Sequence, residues 1–297
     1  MKDSKRKLNI FLTDYGKVLT VGVLICLSLL SVSLIVAFVT PKTLRVSFLD
    51  IGQGDAILIQ TPSGHDMLID GGVSDRVLEK ISNHMSYFDR HIDVMIATHP
   101  DADHITGLIP ILKKYEVRTI VTSPLSGHTG VSGELTKSLV AEHAVVRVAQ
   151  KGDEIDFGDG VVAHILYPSK NLRVKESETN DASVSLVLTY GDTSVLLTGD
   201  LSTTHEGELF GSALPRKVTI YKAGHHGSKF SSGEQLLSYI KPEYVVISAG
   251  KDNKYGHPNL EAIERLTTYS KEILSTIDKG TITFLLDGKS VELRTEK

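Results

Sequence analysis

The sequence predicts an α/β (α+β) protein of mixed sheets with helices on their outer faces, preceded by one transmembrane helix. Three observations predict it. Residues 18–40 hold no charged side chain over 23 positions, and at about 1.5 Å per residue that run covers a hydrocarbon core of about 30 Å. From residue 41 onward, apolar runs of strand length alternate with segments whose apolar residues recur every three or four positions. Between residues 154 and 198 the alternation gives way to strand after strand, and mixed sheets covered by helices are the natural packing for the combined pattern.

The elements follow in order. Residues 1–17 carry Lys2, Lys5, Arg6, Lys7 and Lys17 against Asp3 and Asp14, a basic N-terminus that the positive-inside tendency assigns to the cytoplasm. The run 18–40 exceeds the 7–15-residue core of a signal peptide and ends in Ala37-Phe38-Val39-Thr40-Pro41, without a small-x-small cleavage site, so it reads as an uncleaved anchor. Residues 41–297 then lie outside the membrane and are long enough for one large domain. Cys26 is the single cysteine and falls in the span, which leaves the exported part without a disulfide or a reactive thiol. The chain's formal net charge is −4; setting aside the first forty residues leaves 27 basic against 34 acidic side chains, a net charge of −7. General electrostatics therefore do not favour polyanion binding.

Residues 44–49, 56–60 and 66–69 form a meander of three strands, separated by turns at Gly52-Gln53-Gly54 and Ser63-Gly64. Helical spacing through Val77, Leu78, Ile81 and Met85 marks 75–85. The uniformly apolar Asp93-Val94-Met95-Ile96-Ala97 is a buried strand, and a helix is expected over 105–115 through Leu108, Ile111 and Leu112. A strand at 117–122, a helix at 134–143 and a strand at 145–149 come next, then strands at 154–157, 161–167, 184–190 and 194–198. The last third alternates again, with strands at 218–221, 244–248, 281–286 and 290–294. Helices lie at 234–240, stopped by Lys241-Pro242, and at 260–269, begun after His257-Pro258-Asn259.

The chemistry concentrates in Thr98-His99-Pro100-Asp101-Ala102-Asp103-His104, at a strand-to-helix junction. A helix N-cap needs one short polar side chain; two imidazoles and two carboxylates within six residues are a metal site. Other motifs also follow buried strands: Thr198-Gly199-Asp200, His225-His226-Gly227-Ser228 and the loop to His257-Pro258. Adjacent histidines in a loop project in different directions, so one of His225 and His226 is expected on a metal and the other beside it. Lys222, Lys229, Lys251 and Lys254 stand in the last two loops and would put positive charge around the site.

His99-x-Asp101-x-Asp103-His104 resembles the metal-binding signature of the metallo-β-lactamase superfamily, in the variant carried by the extracellular hydrolase domain of the competence protein ComEC and its relatives. Phe48-Leu49-Asp50-Ile51-Gly52-Gln53-Gly54-Asp55-Ala56, Leu68-Ile69-Asp70-Gly71-Gly72, Leu197-Thr198-Gly199-Asp200, His225-His226-Gly227-Ser228 and Tyr255-Gly256-His257-Pro258 stand in the order of that family. The resemblance implies an αββα sandwich of two mixed sheets. It also implies two divalent ions, Zn²⁺ or Mn²⁺, held by His99, Asp101, Asp103, His104, a bridging Asp200, His226 and His257. Asp103 and His225 are the expected catalytic residues, His225 as a proton-transfer group. Asp70 is expected to orient the metal loop, and Asp50 and Asp55 to be turn residues. His65, His84, His91, His128, His143, His164 and His205 follow no ligand spacing.

Two departures matter. The commoner pattern has His where Asp101 stands, and a further His near Asn180-Asp181-Ala182-Ser183 is missing; Asn180 or Asp181 would supply an oxygen there. Asp101 adds a hard donor, which makes Mn²⁺ a competitor of Zn²⁺ and argues against β-lactam hydrolysis. The expected function is a membrane-anchored, outward-facing phosphodiesterase or nuclease acting on an anionic phosphodiester, DNA or a phosphorylated envelope polymer. The alternatives are a noncatalytic metal-binding or sensory module and an accessory of DNA uptake. A single transmembrane segment forms no channel, so transport would need a partner. The oligomeric state is left open.

Overall fold

The computed structural model of the chain describes residues 2–39, 43–86, 89–142 and 144–297. The expected end of the span at Thr40, the domain start at Pro41 and the position of His143 lie outside them. The chain divides into two compact units, Met1–Lys42 and Thr43–Lys297.

The first unit is one helix, α1 (Lys2–Val39), 38 residues long. It contains Tyr15–Ser33, 19 residues long and apolar enough to cross a membrane. The helix also takes in the basic flank, which the sequence reading set apart at residue 17: no proline interrupts residues 2–39, so nothing there breaks the hydrogen-bond ladder.

The second unit stacks two sheets. Strands β1 (Leu44–Phe48), β2 (Ile57–Gln60), β3 (Asp66–Ile69), β4 (His91–Ala97), β5 (Glu116–Thr122) and β6 (Val145–Val148) join β14 (Ile282–Leu286) and β15 (Val291–Thr295) in the order β15-β14-β1-β2-β3-β4-β5-β6. The other sheet runs β13-β12-β11-β10-β9-β8-β7. Its strands are β7 (Glu154–Asp156), β8 (Val161–Tyr167), β9 (Ser185–Tyr190), β10 (Thr193–Leu197), β11 (Ile220–Lys222), β12 (Tyr244–Ile247) and β13 (Glu272–Ser275). Both sheets are mixed: β1 to β3 pair antiparallel and β3 to β6 parallel, while β10 to β13 are parallel beside an antiparallel β7–β10.

Strand alternation explains the layers. On β1 and β2, Val46, Phe48, Ile57 and Ile59 face the second sheet and meet Val161, Leu186, Leu188 and Val195 in a central core. The opposite face of the first sheet, with Leu58, Leu68 and Met95, packs under Val77, Ile81, Leu108 and Ile111. These come from α2 (Arg76–Ser82) and α4 (Leu108–Leu112), which share this face with α3 (Ala102–Ile105) and α5 (Gly130–Ala141). The outer face of the second sheet is covered by Leu236, Leu237, Ile240 and Leu266 from α6 (Glu234–Ile240) and α7 (Leu260–Tyr269), with α8 (Thr276–Lys279) following β13. The result is the predicted αββα arrangement.

The single helix expected over 105–115 is two short ones, α3 and α4. A Cβ on Gly107 would lie 1.9 Å from the carbonyl oxygen of Gly71; the chain bends where only glycine lets the two backbones touch. The element β13–α8 was not anticipated, because Glu272-Ile273-Leu274-Ser275 is too short and too mixed to signal a strand.

Candidate metal centre

The motifs come together because the strands carrying them end at one rim. β4 delivers His99 and, through α3, Asp103 and His104; β10 delivers Asp200; β11 delivers His225 and His226. The meeting point is a single atom, Asp200 Oδ2. His104 Nε2 lies 3.2 Å from it, His226 Nε2 3.4 Å, His225 Nε2 3.5 Å and His99 Nε2 3.9 Å. Asp103 Oδ2 is 3.5 Å from His226 Nε2, and Asp101 Oδ2 is 4.0 Å from His99 Nε2. Ligands about 2.1 Å from a common ion stand at about such separations from one another.

Proton placement suits a cation. His226 Nδ1 lies 2.9 Å from the carbonyl oxygen of Ser248, and His104 Nδ1 lies 2.7 Å from Asp70 Oδ2. Both oxygens only accept, so each Nδ1 carries the proton and donates it. Thr98 Oγ1 donates to Asp70 Oδ2 at 2.6 Å, so it accepts from His99 Nδ1 at 3.0 Å. All three rings thereby turn an Nε2 toward Asp200, and Asp70 steers two of them, one through Thr98. His104 Nε2 and His226 Nε2 are 3.3 Å apart, and two lone pairs at that distance repel. The buried His99 Nε2 and Asp200 Oδ1 make no hydrogen bond among the described residues. Orphaned polar atoms at a focus of imidazoles and carboxylates fit divalent ions.

Among protein groups alone, burial opposes the charged form of His104 and of His226, yet neighbouring carboxylates, Asp200 foremost, outweigh it and hold both well above the usual histidine range. Burial likewise opposes the Asp200 carboxylate, but His226 and His104 hold it far below its ordinary value. His99 has no such excess of support; burial, reinforced by His104, drops it to about 3. Burial also lowers His225. A metal ion here would compete with protons for the same nitrogens.

The remaining expected residues surround this focus. Asp101 N-caps α3 through its backbone only; its Oδ1 accepts from Thr179 Oγ1 at 2.6 Å. The His257 ring lies 5.1 Å from that of His225 and stacks on Tyr255 at 5.8 Å, and burial, with His225 next, lowers it to about 4. At the position of the missing histidine, Asp181 is engaged: its Oδ1 accepts from the Ser202 amide at 3.2 Å. The buried Asn180 Oδ1 has no hydrogen bond among the described residues.

Three expectations are corrected. His225 and His226 do not diverge: both hold positive φ, 48° and 56°, and both reach Asp200. Asp55 lies in the β1–β2 turn but is more than a turn residue. It is buried, with Oδ1 3.4 Å from His226 Nδ1 and Oδ2 4.0 Å from His104 Nδ1. It offers an oxygen within 4.8 Å of ligand atoms of His104, Asp200 and His226, but it meets both rings at the Nδ1 edge, away from the Nε2 atoms that face Asp200. Lys222 is not a loop lysine. It ends β11 fully buried, 2.5 Å from Asp55 Oδ2, and burial, which disfavours its charge, is outweighed by Asp55 and Asp200, so it stays a cation. Lys229, Lys251 and Lys254 are exposed.

Gln53 was also missed. Its amide spans from Asp103 Oδ2, 3.5 Å away, to the Gly250 N–H at 3.1 Å. It ties Asp103, a candidate ligand, to the loop that leads to His257. The signal available in sequence was its place between two glycines at a strand end.

Residues 65–233 match the family model described as the beta-lactamase superfamily domain. Over 257 residues the chain is 28% identical to ComE operon protein 3 of Bacillus subtilis, covering 81% of this chain and 33% of that protein. It is 30% identical over 244 residues to Recombination protein 2 of Haemophilus influenzae, covering 81% and 28%. The chain spans about a third of the length of the curated relatives it matches. Among solved structures, the metallo-beta-lactamase fold protein YhfI from Bacillus subtilis aligns with a TM-score of 0.50 and 12% identity, over 80% of this chain and 98% of that one, a likeness of fold alone.

Proposed function

Because the chain belongs to the beta-lactamase superfamily domain family, we propose that its centre is a dinuclear hydrolase site and that its substrate is a phosphodiester. The observation that carries this is the convergence of four imidazole nitrogens on Asp200 Oδ2. His99, Asp101 and Asp103 with His104, Asp200, His226 and His257 are the residues that would hold the ions, with His225 in reach of the same oxygen and Asn180 free to add its amide oxygen. Divalent ions in such a donor set supply acidity to a water and positive charge to a developing oxyanion.

The chain's own groups divide the remaining work. Asp70 and Ser248 keep the ring protons on the Nδ1 edges. Asp103, partly exposed and held by Gln53, is placed to orient an attacking water. His225 has a half-open imidazole, and burial keeps it neutral near pH 7, so it is placed to take a proton from the reaction. Exposed Lys229, Lys251 and Lys254 favour an anionic substrate. Asp101, a hard oxygen donor where the commoner pattern has a histidine, favours Mn²⁺ alongside Zn²⁺. The names of the relatives concern competence and recombination, which makes DNA the first substrate to test and DNA uptake, with a channel-forming partner, the first process.

Helix α1 would anchor the domain on the outer face of the membrane, its basic N-terminus inside. A reporter fused after Lys297 is expected to be active outside the cytoplasm; activity inside would invert the topology. The full chain in detergent, loaded with Zn²⁺ or Mn²⁺, is expected to hydrolyse bis-p-nitrophenyl phosphate and single-stranded DNA, to stop with chelator and to recover with metal. Two bound ions and no turnover of either substrate would overturn the phosphodiesterase assignment.

A further inference from the structure

The Lys222–Asp55 pair has no part in the proposed chemistry, yet it lies directly beneath it. A buried ion pair is weak evidence of stabilisation, because taking two charges out of water offsets most of their attraction. Its position needs another account. β10 and β11 are parallel neighbours with Leu197 opposite Lys222, so the lysine stands level with the turn that presents Asp200. Its Nζ is 3.8 Å from Asp200 Oδ1, 3.4 Å from the Gly199 carbonyl oxygen that it donates to, and 2.5 Å from Asp55 Oδ2.

The two oxygens of Asp200 therefore face different surroundings. Oδ2 meets four imidazole nitrogens. Oδ1 has no hydrogen bond among the described residues, and the cation facing it is Lys222. We infer that Lys222 is a positioning residue: its ammonium, held in place by Asp55, draws Asp200 Oδ1 away from the cluster and leaves Oδ2 facing the imidazoles, where it would serve the ions. The inference rests on the two-ion assignment above. A lysine suits this place better than an arginine, since one compact charge at the end of a thin stem fits between Asp55 and Asp200, whereas a planar fork needs more room.

If Lys222 served only to neutralise Asp55, removing both charges together would restore everything, because a neutral buried pair leaves no unpaired ion. If it positions Asp200, the double variant regains the fold and not the centre. The experiment compares the full wild-type chain with Asp55→Asn, Lys222→Met and Lys222→Met/Asp55→Asn. The readouts are the thermal midpoint without metal, the number of Co²⁺ ions retained on dialysis, and the paramagnetic resonance spectrum, which reports coupling between two ions through a shared oxygen. Expected are a low midpoint for Lys222→Met alone, and a near-wild-type midpoint for the double variant together with at least tenfold weaker retention of the second ion and altered coupling. Asp55→Asn, which keeps the ammonium, is expected to retain two coupled ions. A double variant with wild-type retention and spectrum would overturn the role of Lys222 while leaving the two-ion site intact. A wild-type chain that retains fewer than two ions would overturn the two-ion assignment itself, and Lys222's role with it.

Discussion

Gly54 gives a test in which backbone geometry sets the magnitude. Its φ is +106°, and a Cβ there would lie 1.9 Å from the carbonyl oxygen of Asp103 and 2.9 Å from its carbonyl carbon. Real Cβ atoms essentially never come within 3.0 Å of such an atom, so Gly54→Ala forces two backbone segments apart by about 1 Å. The same oxygen accepts the Asp55 amide at 3.3 Å, so the movement reaches both Asp103 and Asp55. Gly52 is the control: its φ is +84°, with nothing within 4 Å of a Cβ. Gly52→Ala carries the left-handed strain alone, about 1–2 kcal/mol, whereas Gly54→Ala carries that strain plus the displacement, about 3 kcal/mol or more.

For a domain of this size each kcal/mol shifts the thermal midpoint by about 2–4 °C. The expected loss is therefore about 2–8 °C for Gly52→Ala and about 6 °C or more for Gly54→Ala, and the gap between them is the cleaner quantity. Activity separates the variants further. Misplacing a group at the chemistry by about 1 Å lowers turnover by about 10²-fold, so Gly54→Ala is expected to lose that much hydrolysis of bis-p-nitrophenyl phosphate while Gly52→Ala stays near wild type. Equal turnover and equal midpoints in the two variants would refute the close contact as the reason for glycine at 54.

Asp200→Ala is expected to abolish turnover and two-ion binding while far-ultraviolet circular dichroism stays native; near-normal turnover with two ions bound would rule out a shared carboxylate. Asp101→His is expected to lower Mn²⁺-supported relative to Zn²⁺-supported activity, since nitrogen replaces a hard oxygen donor; an unchanged ratio after reconstitution of metal-free protein would show that Asp101 does not set the preference. Glu296 accepts from Lys80 Nζ at 2.7 Å and from the Thr281 amide at 2.9 Å, and Lys80 first and that amide next pull it from an ordinary 4.5 to about 2. A carboxylate depressed by folding adds stability above the unfolded value, lost as pH falls from about 4.5 toward 2. Glu296 is half-exposed, so Glu296→Gln is expected to lower stability by only about 1 kcal/mol at pH 6, with the gap in thermal midpoint closing as pH falls from about 4.5 to about 2; a gap independent of pH would exclude the ion pair as its source.

What was legible in the sequence is what short-range pattern encodes. α6 and α7 begin and end where Lys241-Pro242 and His257-Pro258-Asn259 place them, and each ligand motif follows a buried strand that its apolar run announces. The supporting tier was not legible. Lys222, at the head of the segment leading to His225, reads as a loop lysine, and its burial becomes intelligible only beside Asp55, a partner that the fold brings from the other sheet's β1–β2 turn. Asp55 looked like a turn residue for the same reason. Asp70, already in a family motif, bonds Thr98 and His104, the contacts that the expected orienting role requires.

The paired histidines show why local expectation fails at the centre itself. Adjacent side chains leave the backbone in different directions, yet both imidazoles reach Asp200 Oδ2; His225 (φ 48°, ψ 51°) and His226 (φ 56°, ψ 26°) are both left-handed, and Gly227 follows at φ 81°. Such a conformation costs about 1–2 kcal/mol per non-glycine residue and persists only where the surroundings fix it. They do so here at both ends. The His225 amide donates to the Gly199 carbonyl at 3.1 Å, locking the turn to the one that carries Asp200. Downstream, Arg265 donates to the carbonyl oxygens of Lys229, Ser231 and Ser232, and Glu206 accepts from the amides of Ser232 and Gly233. Half-buried Arg265 and buried Glu206 thus fix residues 229–233 just past the paired histidines, and the placing of His225 and His226 depends in part on residues outside the histidine motif.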